Sequence, residues 1–502
     1  MIQILDTTLR DGEQTSGVAF APQEKLSIAS LLLEDVGVDR IEVASARVSQ
    51  GEYDSTRRMM RWAQEKGYAD RVEVLGFVDG GQSVEWIRDA GGQVLNLLCK
   101  GSMKHCVEQL GKRPEEHFSD IKRVMDIAHE NGLSVNVYLE DWSNGMLHSP
   151  EYVHLMLDEL KGYPVKHFML PDTLGILNPV QTGRLCREMV SAYPELNFDF
   201  HAHNDYDLAV ANVFAAVEAG ITTIHTTVNG LGERAGNAPL SSVVAVLHDQ
   251  LHVQTSIKEE QISRVSKIVE TYSGVRVPGN KPVVGEYVFT QVAGVHADGD
   301  LKNNLYCNDL LPERFGRTRE WALGKSSGNA SIKKNLEALG IHLEPDALKK
   351  VTSRIVALGD KKQRVTQEDL PYIISDVLKT SGKQQHVRLL NYSLTLTQGL
   401  KPVANISVEV DGQNYQQTAA GDGQYDAFMH ALWAVYDRLH KPHPLLADYV
   451  VAIPPGGRTD AFVQTIITWN MDGRVFKTHG LDADQMEAAI QATEKMLNII
   501  ES

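Results

Sequence analysis

Residues 134–170 have the sequence SVNVYLEDWSNGMLHSPEYVHLMLDELKGYPVKHFML. Two short apolar runs, Ser134–Leu139 and His167–Leu170, flank a stretch with helical periodicity over residues 149–160. This pattern predicts a strand, a helix and a second strand. The two strands are expected to be parallel, because parallel neighbours require a crossover connection, usually a helix.

The same alternation extends over the first 250 residues or so. Further helical stretches cover residues 23–36, 115–131, 178–192 and 206–219. A count of eight strands favours a closed (β/α)8 TIM barrel over an open doubly wound sheet, and it places the active site at the carboxyl ends of the strands. The predicted strands are Ile2–Leu5, Arg40–Val43, Val72–Phe77, Val94–Leu98, Ser134–Leu139, His167–Leu170, Asn197–Phe200 and Thr223–Val228.

The 502 residues exceed what one barrel needs, since a TIM barrel uses about 250. The net charge of −16 argues against binding to nucleic acid or to an anionic membrane surface. Neither a long apolar run nor an N-terminal targeting pattern is apparent, so no membrane span and no signal segment are predicted. The four cysteines (Cys99, Cys106, Cys186 and Cys307) form no CxxC pair and are typical of reduced thiols in a cytoplasmic protein.

The second half of the chain has a different pattern. Helical stretches at 257–272, 328–339, 345–358 and 367–379 surround a loop-rich segment, Gly279–Asn304, and predict a helical linker region. From His386 onward, three strands and a helix are predicted twice, with helices at 424–439 and 482–500. We therefore expect two βββα units in a pseudo-twofold module; the alternative is a coincidental alternation.

Polar residues follow several predicted strands, where a barrel places its active site. Arg10 and Asp11 follow the first strand, either as site residues or as a structural ion pair. His201 and His203 end the seventh strand in HAHND, and alternate strand residues point the same way, so the two imidazoles suit a divalent metal.

The segment NGLGERAGN (residues 229–237) follows the eighth strand. Its glycines are spaced G-x-G-x-x-x-G after the last strand, which does not match a dinucleotide-binding fingerprint. We expect them to form a tight loop that directs Asn237 at the metal. Asp11, His201, His203 and Asn237 would form an oxygen and nitrogen site for Mg, Mn or Zn, which this ligand set does not distinguish.

Other candidates have equally plausible structural roles. Glu140, at the end of the fifth strand, is either a general acid/base or a surface carboxylate. Thr173, after the sixth strand, would donate to a substrate carboxylate or cap the next helix. His296, in GVHADG, and Tyr306 lie in the loop-rich segment, where a surface turn is the alternative.

Together, LDTTLRDGEQ near residue 5, HAHND near 201 and NGLGERAGN near 229 resemble the metal-dependent, acyl-transferring barrel family of isopropylmalate, citramalate and homocitrate synthases. The GVHADG segment and the double βββα module extend the resemblance over essentially the whole chain. SARVS near 45, LNLLCKGS near 95 and YLEDWSNG near 138 are most similar to the citramalate branch. The division that follows is a TIM-barrel catalytic domain (1–270), helical linker subdomains (271–383) and a C-terminal regulatory domain (384–502).

The resemblance implies a Claisen-type condensation of acetyl-CoA with a 2-oxo acid, followed by hydrolysis that releases CoA. It assigns Arg10 to the developing negative charge, Thr173 to the substrate carboxylate and Glu140 to methyl-proton removal. It assigns His296 and Tyr306 to thioester hydrolysis or acetyl-CoA positioning, and a partner subunit of a homodimer would supply them.

Leu75, Leu98 and Tyr138 are expected to line the pocket for the side chain of the 2-oxo acid. In isopropylmalate synthases the last two positions are typically smaller or more polar. The bulky set therefore favours pyruvate over 2-oxoisovalerate, and (R)-citramalate as product, unless these residues only fill the barrel. In the regulatory module the resemblance suggests an amino-acid effector, isoleucine, with pocket residues Tyr425, Asp426, Leu446, Tyr449, Ile453 and Val463; a purely dimerising module is the alternative.

Three other functions remain open from the sequence. A 2-isopropylmalate synthase would use 2-oxoisovalerate and serve leucine biosynthesis. An inactive amino-acid sensor would keep the module without catalysis, but the intact Arg10, Asp11, Glu140 and histidine set argues against it. A metal-dependent lyase on the same barrel would not be expected to carry the βββα module.

Overall fold

The computed structural model describes residues 1–291, 308–338, 341–360, 365, 370, 373–374, 377, 386–452 and 463–501. By their internal contacts, these residues form two compact units. One unit comprises Met1–Phe289 with the described residues up to Arg319, and the other is built mainly from Glu320–Ser502. Among the described residues, no helix is long and apolar enough to span a membrane.

The first unit is a closed barrel in which strands β1 to β8 pair in sequence order and β8 pairs back with β1, all in parallel. The (β/α)8 prediction is therefore confirmed. The strands are β1 (Gln3–Asp6), β2 (Arg40–Ser45), β3 (Val72–Phe77), β4 (Val94–Lys100), β5 (Ser134–Glu140), β6 (Val165–Asp172), β7 (Phe198–Ala202) and β8 (Thr223–Thr226).

Helices surround these strands. Proline occupies the first position of four of them, where its missing N–H is not needed and its fixed φ suits a helix start. The barrel helices are α1 (Pro22–Ser30), α2 (Gln50–Lys66), α3 (Gln82–Asp89), α4 (Pro114–Glu130), α5 (Trp142–His148), α6 (Pro150–Leu160), α7 (Pro179–Ala192), α8 (Ala209–Glu218), α9 (Leu240–Asp249) and α10 (Ile262–Ser273).

The two faces of each strand have different partners. On β7, Phe198 and Phe200 belong to the apolar core, whereas Asp199 and His201 bind polar side chains inside the barrel. The period of two along a strand produces this division. The barrel interior is therefore polar near the site, and the apolar core lies between the strands and the surrounding helices.

The second unit contains short strands β9 (Thr290–Gln291) and β10 (Glu320–Trp321), then helices α11 (Asn329–Ala338) and α12 (Pro345–Asp360). The helix predicted at 367–379 falls largely outside the described residues. Beyond residue 386 the two predicted βββα units are present. They comprise β11 (Val387–Thr395), β12 (Val403–Val410), β13 (Gln413–Ala420) and α13 (Gln424–Arg438), then β14 (Leu445–Ala452), β15 (Val463–Met471), β16 (Arg474–Asp482) and α14 (Gln485–Ile500).

The two βββα units share one hydrophobic core. They are also linked by polar contacts, since the Val387 backbone N–H donates to Asn498 Oδ1 on α14 at 3.1 Å. This contact joins the sheet of the first unit to the helix of the second, so the two units form one module.

Candidate active site

A cavity of about 220 Å³ lies at the carboxyl ends of the barrel strands. Its lining includes every described residue predicted for catalysis or substrate binding, and every predicted metal ligand except Asn237. The lining residues are Arg10, Asp11, Gln14, Ser45, Leu75, Phe77, Leu98, Tyr138, Glu140, Pro171, Thr173, His201, His203 and Glu233.

Asp11, His201 and His203 form a compact group. One potential ligand atom from each lies within 4.8 Å of the others, and all three side chains are buried. His201 Nε2 is 3.1 Å from Asp11 Oδ2, and His203 Nε2 is 3.8 Å from the same oxygen. The structure thus brings the HAHND motif of β7 against the turn that follows β1.

Asn237 joins this group through backbone pairing with His203. Its Nδ2 donates to the Leu231 carbonyl at 3.1 Å, which leaves Oδ1 free to accept. Two glycines make this packing possible: a Cβ on Gly232 would collide with the Asn237 amide, and one on Gly236 would collide with the Gly230 carbonyl. Both glycines also have positive φ, so the predicted role of the glycine loop agrees with its geometry.

The four predicted ligands share one further property. Each has a buried polar atom without a hydrogen-bond partner: Asp11 Oδ1, His201 Nδ1, His203 Nδ1 and Asn237 Oδ1. Unpartnered buried polar atoms are rare because they are costly, and a cation would satisfy the two oxygens, Asp11 Oδ1 and Asn237 Oδ1. The imidazoles would bind it through Nε2, the nitrogen that faces Asp11 in both histidines. One carboxylate, two imidazoles and an amide oxygen therefore fit a divalent cation here.

The electrostatics favour the ligand forms of these side chains. Although burial alone would raise it, the pKa of Asp11 is lowered, because the Arg10 charge and the His201 hydrogen bond stabilise the carboxylate. Burial lowers the pKa of His203 to about 4, with a further contribution from His201. The site thus presents an anionic oxygen and neutral imidazoles at pH 7.

Arg10 binds three different groups at the edge of the cavity. Its Nε donates to Glu42 Oε2 at 2.6 Å, and its NH2 group lies 3.5 Å from the Tyr138 hydroxyl. Its NH1 group is 3.4 Å from Asp11 Oδ2. A guanidinium has five N–H donors, so donors remain for a ligand in the cavity.

Glu140 lies at the end of β5 and forms an ion pair with Lys100 from the end of β4. The following residue, Asp141, has a left-handed backbone with φ of 66°. Its carboxylate accepts from Ser102 and Asn144, both at 2.8 Å, which holds this strained turn in place. The turn fixes where β5 ends and therefore where Glu140 lies.

Thr173 does not cap a helix, because Asn178 caps α7 instead. The Thr173 hydroxyl oxygen accepts from the Asp141 backbone N–H at 2.9 Å. With that lone pair occupied, the hydroxyl proton remains available for a group in the cavity.

Leu75 and Tyr138 pack with Leu5 and Met169 in a small apolar cluster inside the barrel, and Leu98 packs against it. These three predicted pocket residues therefore lie together, as one wall of the cavity.

The regulatory residues are only partly brought together. The rings of Tyr425 and Tyr449 are 5.3 Å apart, and the Tyr425 hydroxyl bonds Thr493 at 2.6 Å. Leu446 pairs with Trp469, whereas Val463 begins β15, so the two lie about 20 Å apart along the strand. Their shared role in an amino-acid pocket therefore stays a prediction. Asp426 accepts from the Asp422 backbone N–H at 2.8 Å.

Four predicted residues, Cys307, His296, Tyr306 and Ile453, lie outside the described residues. Sequence reasoning missed Lys100 and several cavity residues, among them Gln14, Ser45 and Glu233. Gln14 and Glu233 lie within or next to the motifs already noted, and Lys100 follows a predicted strand. Ser45 ends β2 and Lys100 ends β4, so a position at a strand end was the available signal for these two.

Three family models match the chain. The HMGL-like model covers residues 1–269, the homocitrate synthase post-HMGL domain-like model covers 283–363, and the LeuA allosteric (dimerisation) domain model covers 364–501. The first spans more than half of the chain.

Relatives match over nearly the full length. An (R)-citramalate synthase of Methanocaldococcus jannaschii is 32% identical over 100% of this chain and 99% of its own, and a 2-isopropylmalate synthase of the same organism is 32% identical over 99% and 94%. A Methanopyrus kandleri protein that also carries the name (R)-citramalate synthase is 36% identical over 86% of this chain and 83% of its own. This chain therefore belongs to the HMGL-like family, within the acyltransferase group that includes the citramalate and 2-isopropylmalate synthases.

Proposed function

We propose that the protein condenses acetyl-CoA with pyruvate and water to give (R)-citramalate and CoA, in isoleucine biosynthesis. The observation that carries this proposal is the barrel-mouth cavity on which Arg10, Asp11, Glu140, Thr173 and the two histidines converge. The citramalate synthase relatives support the choice of product.

Asp11, His201, His203 and Asn237 would hold a divalent cation (Mn, Mg or Zn), as the clustering of the first three and the unpartnered buried oxygens of Asp11 and Asn237 suggest. When bound, such a cation polarises a carbonyl and stabilises developing negative charge. The remaining chemistry belongs to the side chains around the cavity.

Glu140, which is paired with Lys100, would accept the methyl proton of acetyl-CoA. The freed electron pair forms the new carbon–carbon bond to the keto carbon of pyruvate. The keto oxygen then takes up one proton, which balances the proton removed by Glu140, and becomes the product hydroxyl. Arg10 would donate to the oxygen on which negative charge develops, and the oriented Thr173 hydroxyl would donate to the pyruvate carboxylate. Water then cleaves the thioester and releases CoA.

We assign residues 1–270 to catalysis, 271–383 to the linker and 384–502 to regulation. His296 and Tyr306 would assist thioester hydrolysis or position acetyl-CoA. A second chain of a cytoplasmic homodimer would supply them, which makes the dimer necessary for activity.

The decisive experiment compares CoA release from acetyl-CoA with pyruvate and with 2-oxoisovalerate, with and without added divalent metal. We expect metal-dependent CoA release with pyruvate as the preferred acceptor. Higher activity with 2-oxoisovalerate would instead support a 2-isopropylmalate synthase, which the relative of that name favours. Absence of CoA release with any 2-oxo acid would support the sensor.

The cavity wall provides a test of acceptor choice. Leu98→Ala is expected to raise the kcat/KM for 2-oxoisovalerate relative to pyruvate by roughly 10-fold or more, because crowding by a few methyl groups accounts for discrimination of that size. Leu97→Ala is the matched control, since Leu97 belongs to the outer apolar core and does not line the cavity. Equal shifts in both variants would contradict a pocket role for Leu98.

Asp11→Asn is expected to weaken Mn²⁺ binding, measured by titration calorimetry, by at least roughly 10-fold, because the anionic ligand is lost. Asp205→Asn is the control. Asp205 lies on the same rim but its carboxylate is bound by Arg234 at 2.8 Å. Unchanged Mn²⁺ affinity in Asp11→Asn would remove this residue from the metal site.

We also propose that isoleucine inhibits the enzyme through the βββα module, with Asp426 binding its ammonium group and Tyr425 and Tyr449 contacting its side chain. Asp426→Asn is expected to raise the inhibitory isoleucine concentration by roughly 10-fold, the value of a charge-assisted hydrogen bond. The matched control is Asp422→Asn, because the exposed carboxylate of Asp422 binds Lys401 instead. Equal inhibition of both variants and the wild type would place the effector site elsewhere.

A further inference from the structure

Eight polar side chains form a closed hydrogen-bonded ring inside the barrel. From Arg10, it runs through Glu42 and Asn96 (2.6 and 2.8 Å) to Glu73 (2.9 Å) and Arg40 (2.8 Å). It returns through Asp199 (2.5 Å), His225 (3.2 Å) and Tyr138 (3.0 Å), whose hydroxyl is 3.5 Å from Arg10. Seven of the eight are at most 9% exposed and lie on barrel strands. The eighth, Arg10, follows β1 and has a side chain that is 10% exposed.

In the part of the ring from Asp199 to Arg10, the available protons determine which group donates in each hydrogen bond. The Asp199 carboxylate is paired with Arg40 and has no proton to donate, so His225 Nε2 carries the hydrogen of their shared bond. In the neutral ring, His225 Nδ1 is then an acceptor, and it accepts from the Tyr138 hydroxyl. The lone pairs of the Tyr138 oxygen are left for Arg10, which can only donate.

This direction matters at the cavity. Without an acceptor at His225 Nδ1, the Tyr138 hydroxyl proton would lose its partner and would compete with the Arg10 N–H group for the same space. Tyr138 forms part of the cavity wall and the Arg10 guanidinium lies 5.8 Å from the centre of its ring. Both are therefore connected through hydrogen bonds to a histidine that does not line the cavity.

We propose that His225 is a positioning residue that acts through the Tyr138 hydroxyl to set the orientation of Arg10 and the shape of the acceptor pocket. The inference rests on the proposed condensation reaction and extends it to a residue below the cavity.

The fold supplies a matched control for a purely structural role. His167 Nδ1 binds the other oxygen of Asp199 at 2.8 Å, yet no described contact joins His167 to Tyr138. If His225 served only to satisfy Asp199, the same substitution at His167 would have at least as large an effect.

Two amide substitutions separate the hydrogen bonds of His225. In His225→Gln the amide nitrogen replaces Nε2 and keeps the bond to Asp199, but Tyr138 loses its acceptor. In His225→Asn the amide oxygen replaces Nδ1 and keeps the Tyr138 acceptor, but the bond to Asp199 is lost. We expect His225→Gln to lower kcat/KM for pyruvate roughly 10-fold, the value of one buried hydrogen bond, and to reduce the preference for pyruvate over 2-oxobutyrate.

We expect His225→Asn and His167→Gln to retain wild-type selectivity and kcat/KM within about 3-fold, even where their thermal stability falls. Tyr138→Phe should abolish the additional effect of His225→Gln in the double variant. Wild-type kinetics in His225→Gln, or equal damage in His225→Asn or His167→Gln, would overturn the proposal.

A spectroscopic measurement tests the Tyr138 hydrogen bond independently of activity. The tyrosine Fermi doublet in the ultraviolet Raman difference spectrum, wild type minus Tyr138→Phe, reports whether the Tyr138 hydroxyl donates. We expect a strong donor in the wild type and in His225→Asn, and its loss in His225→Gln. A wild-type enzyme that releases no CoA would refute the proposed reaction, while a doublet insensitive to His225→Gln would refute the positioning inference itself.

Discussion

Arg10→Lys is expected to lower kcat for CoA release by roughly 10²–10³-fold, the usual effect of removing one donor from a developing oxyanion. Arg10 uses three nitrogens for three partners, Glu42, Tyr138 and Asp11. A lysine ammonium is a single nitrogen and does not reach all three while also donating into the cavity. The charge beside Glu42 is nevertheless preserved.

Lysine is more informative than alanine at this position. Arg10→Ala would leave the fully buried Glu42 without its cation, and such a loss destabilises a protein by about 3–5 kcal/mol. An inactive Arg10→Ala variant could therefore have lost either its catalytic group or its fold.

The measurement combines CoA release with thermal unfolding. Arg234→Lys is the matched control, because Arg234 lies at the same rim, binds Asp205 and is more exposed. We expect Arg234→Lys to retain most of its activity and both variants to unfold near the wild-type temperature. Near-normal turnover in Arg10→Lys would remove the guanidinium from the chemistry.

The metal candidates illustrate what a sequence can predict. His201 and His203 alternate along a strand, so they share a face, and the barrel rule places that face at the mouth. Asp11 follows another strand of the same parallel sheet and therefore reaches the same end. Period and topology together predicted the group that the structure brings within 4.8 Å.

Element boundaries were predicted less well where the backbone changes locally. The eighth strand was expected to reach Val228 but ends at Thr226, because Asn229 has a positive φ of 61° and the chain turns there. The sixth strand begins at Val165, two residues before its prediction. Such shifts depend on local hydrogen bonds that apolar patterning does not report.

The polar ring was not predicted, although its residues were visible. Glu42, Glu73, Asn96 and Asp199 lie within otherwise apolar strands, which marks an interior face that is not simply filled with hydrocarbon. Their partners could not be read from the sequence, because the period of a strand gives the face of a residue but not its depth in the barrel or its neighbour across it. The pair of Lys100 with Glu140 was missed for the same reason.

The ring also leads to the largest stability effect that we expect. Arg40→Leu should lower the free energy of unfolding of the barrel by about 3–5 kcal/mol, because it leaves two carboxylates, Glu73 and Asp199, in the interior without their shared cation. Arg40 is 9% exposed, so water cannot replace the lost charge. Asp199 would keep only its two histidine partners.

The control is the same substitution at Arg47. Its pair with Asp79 has the same 2.8 Å separation as the Arg40–Glu73 pair, but the Arg47 side chain is 42% exposed. An exposed pair contributes about 0–1 kcal/mol, so Arg47→Leu should unfold almost as the wild type does in urea. Amide hydrogen exchange of β2, β3 and β7 would assign any loss to the barrel. Equal stability of Arg40→Leu and Arg47→Leu would mean that burial adds nothing to the Arg40 pairs, and the ring could then not be the rigid support that the positioning of Tyr138 and Arg10 requires.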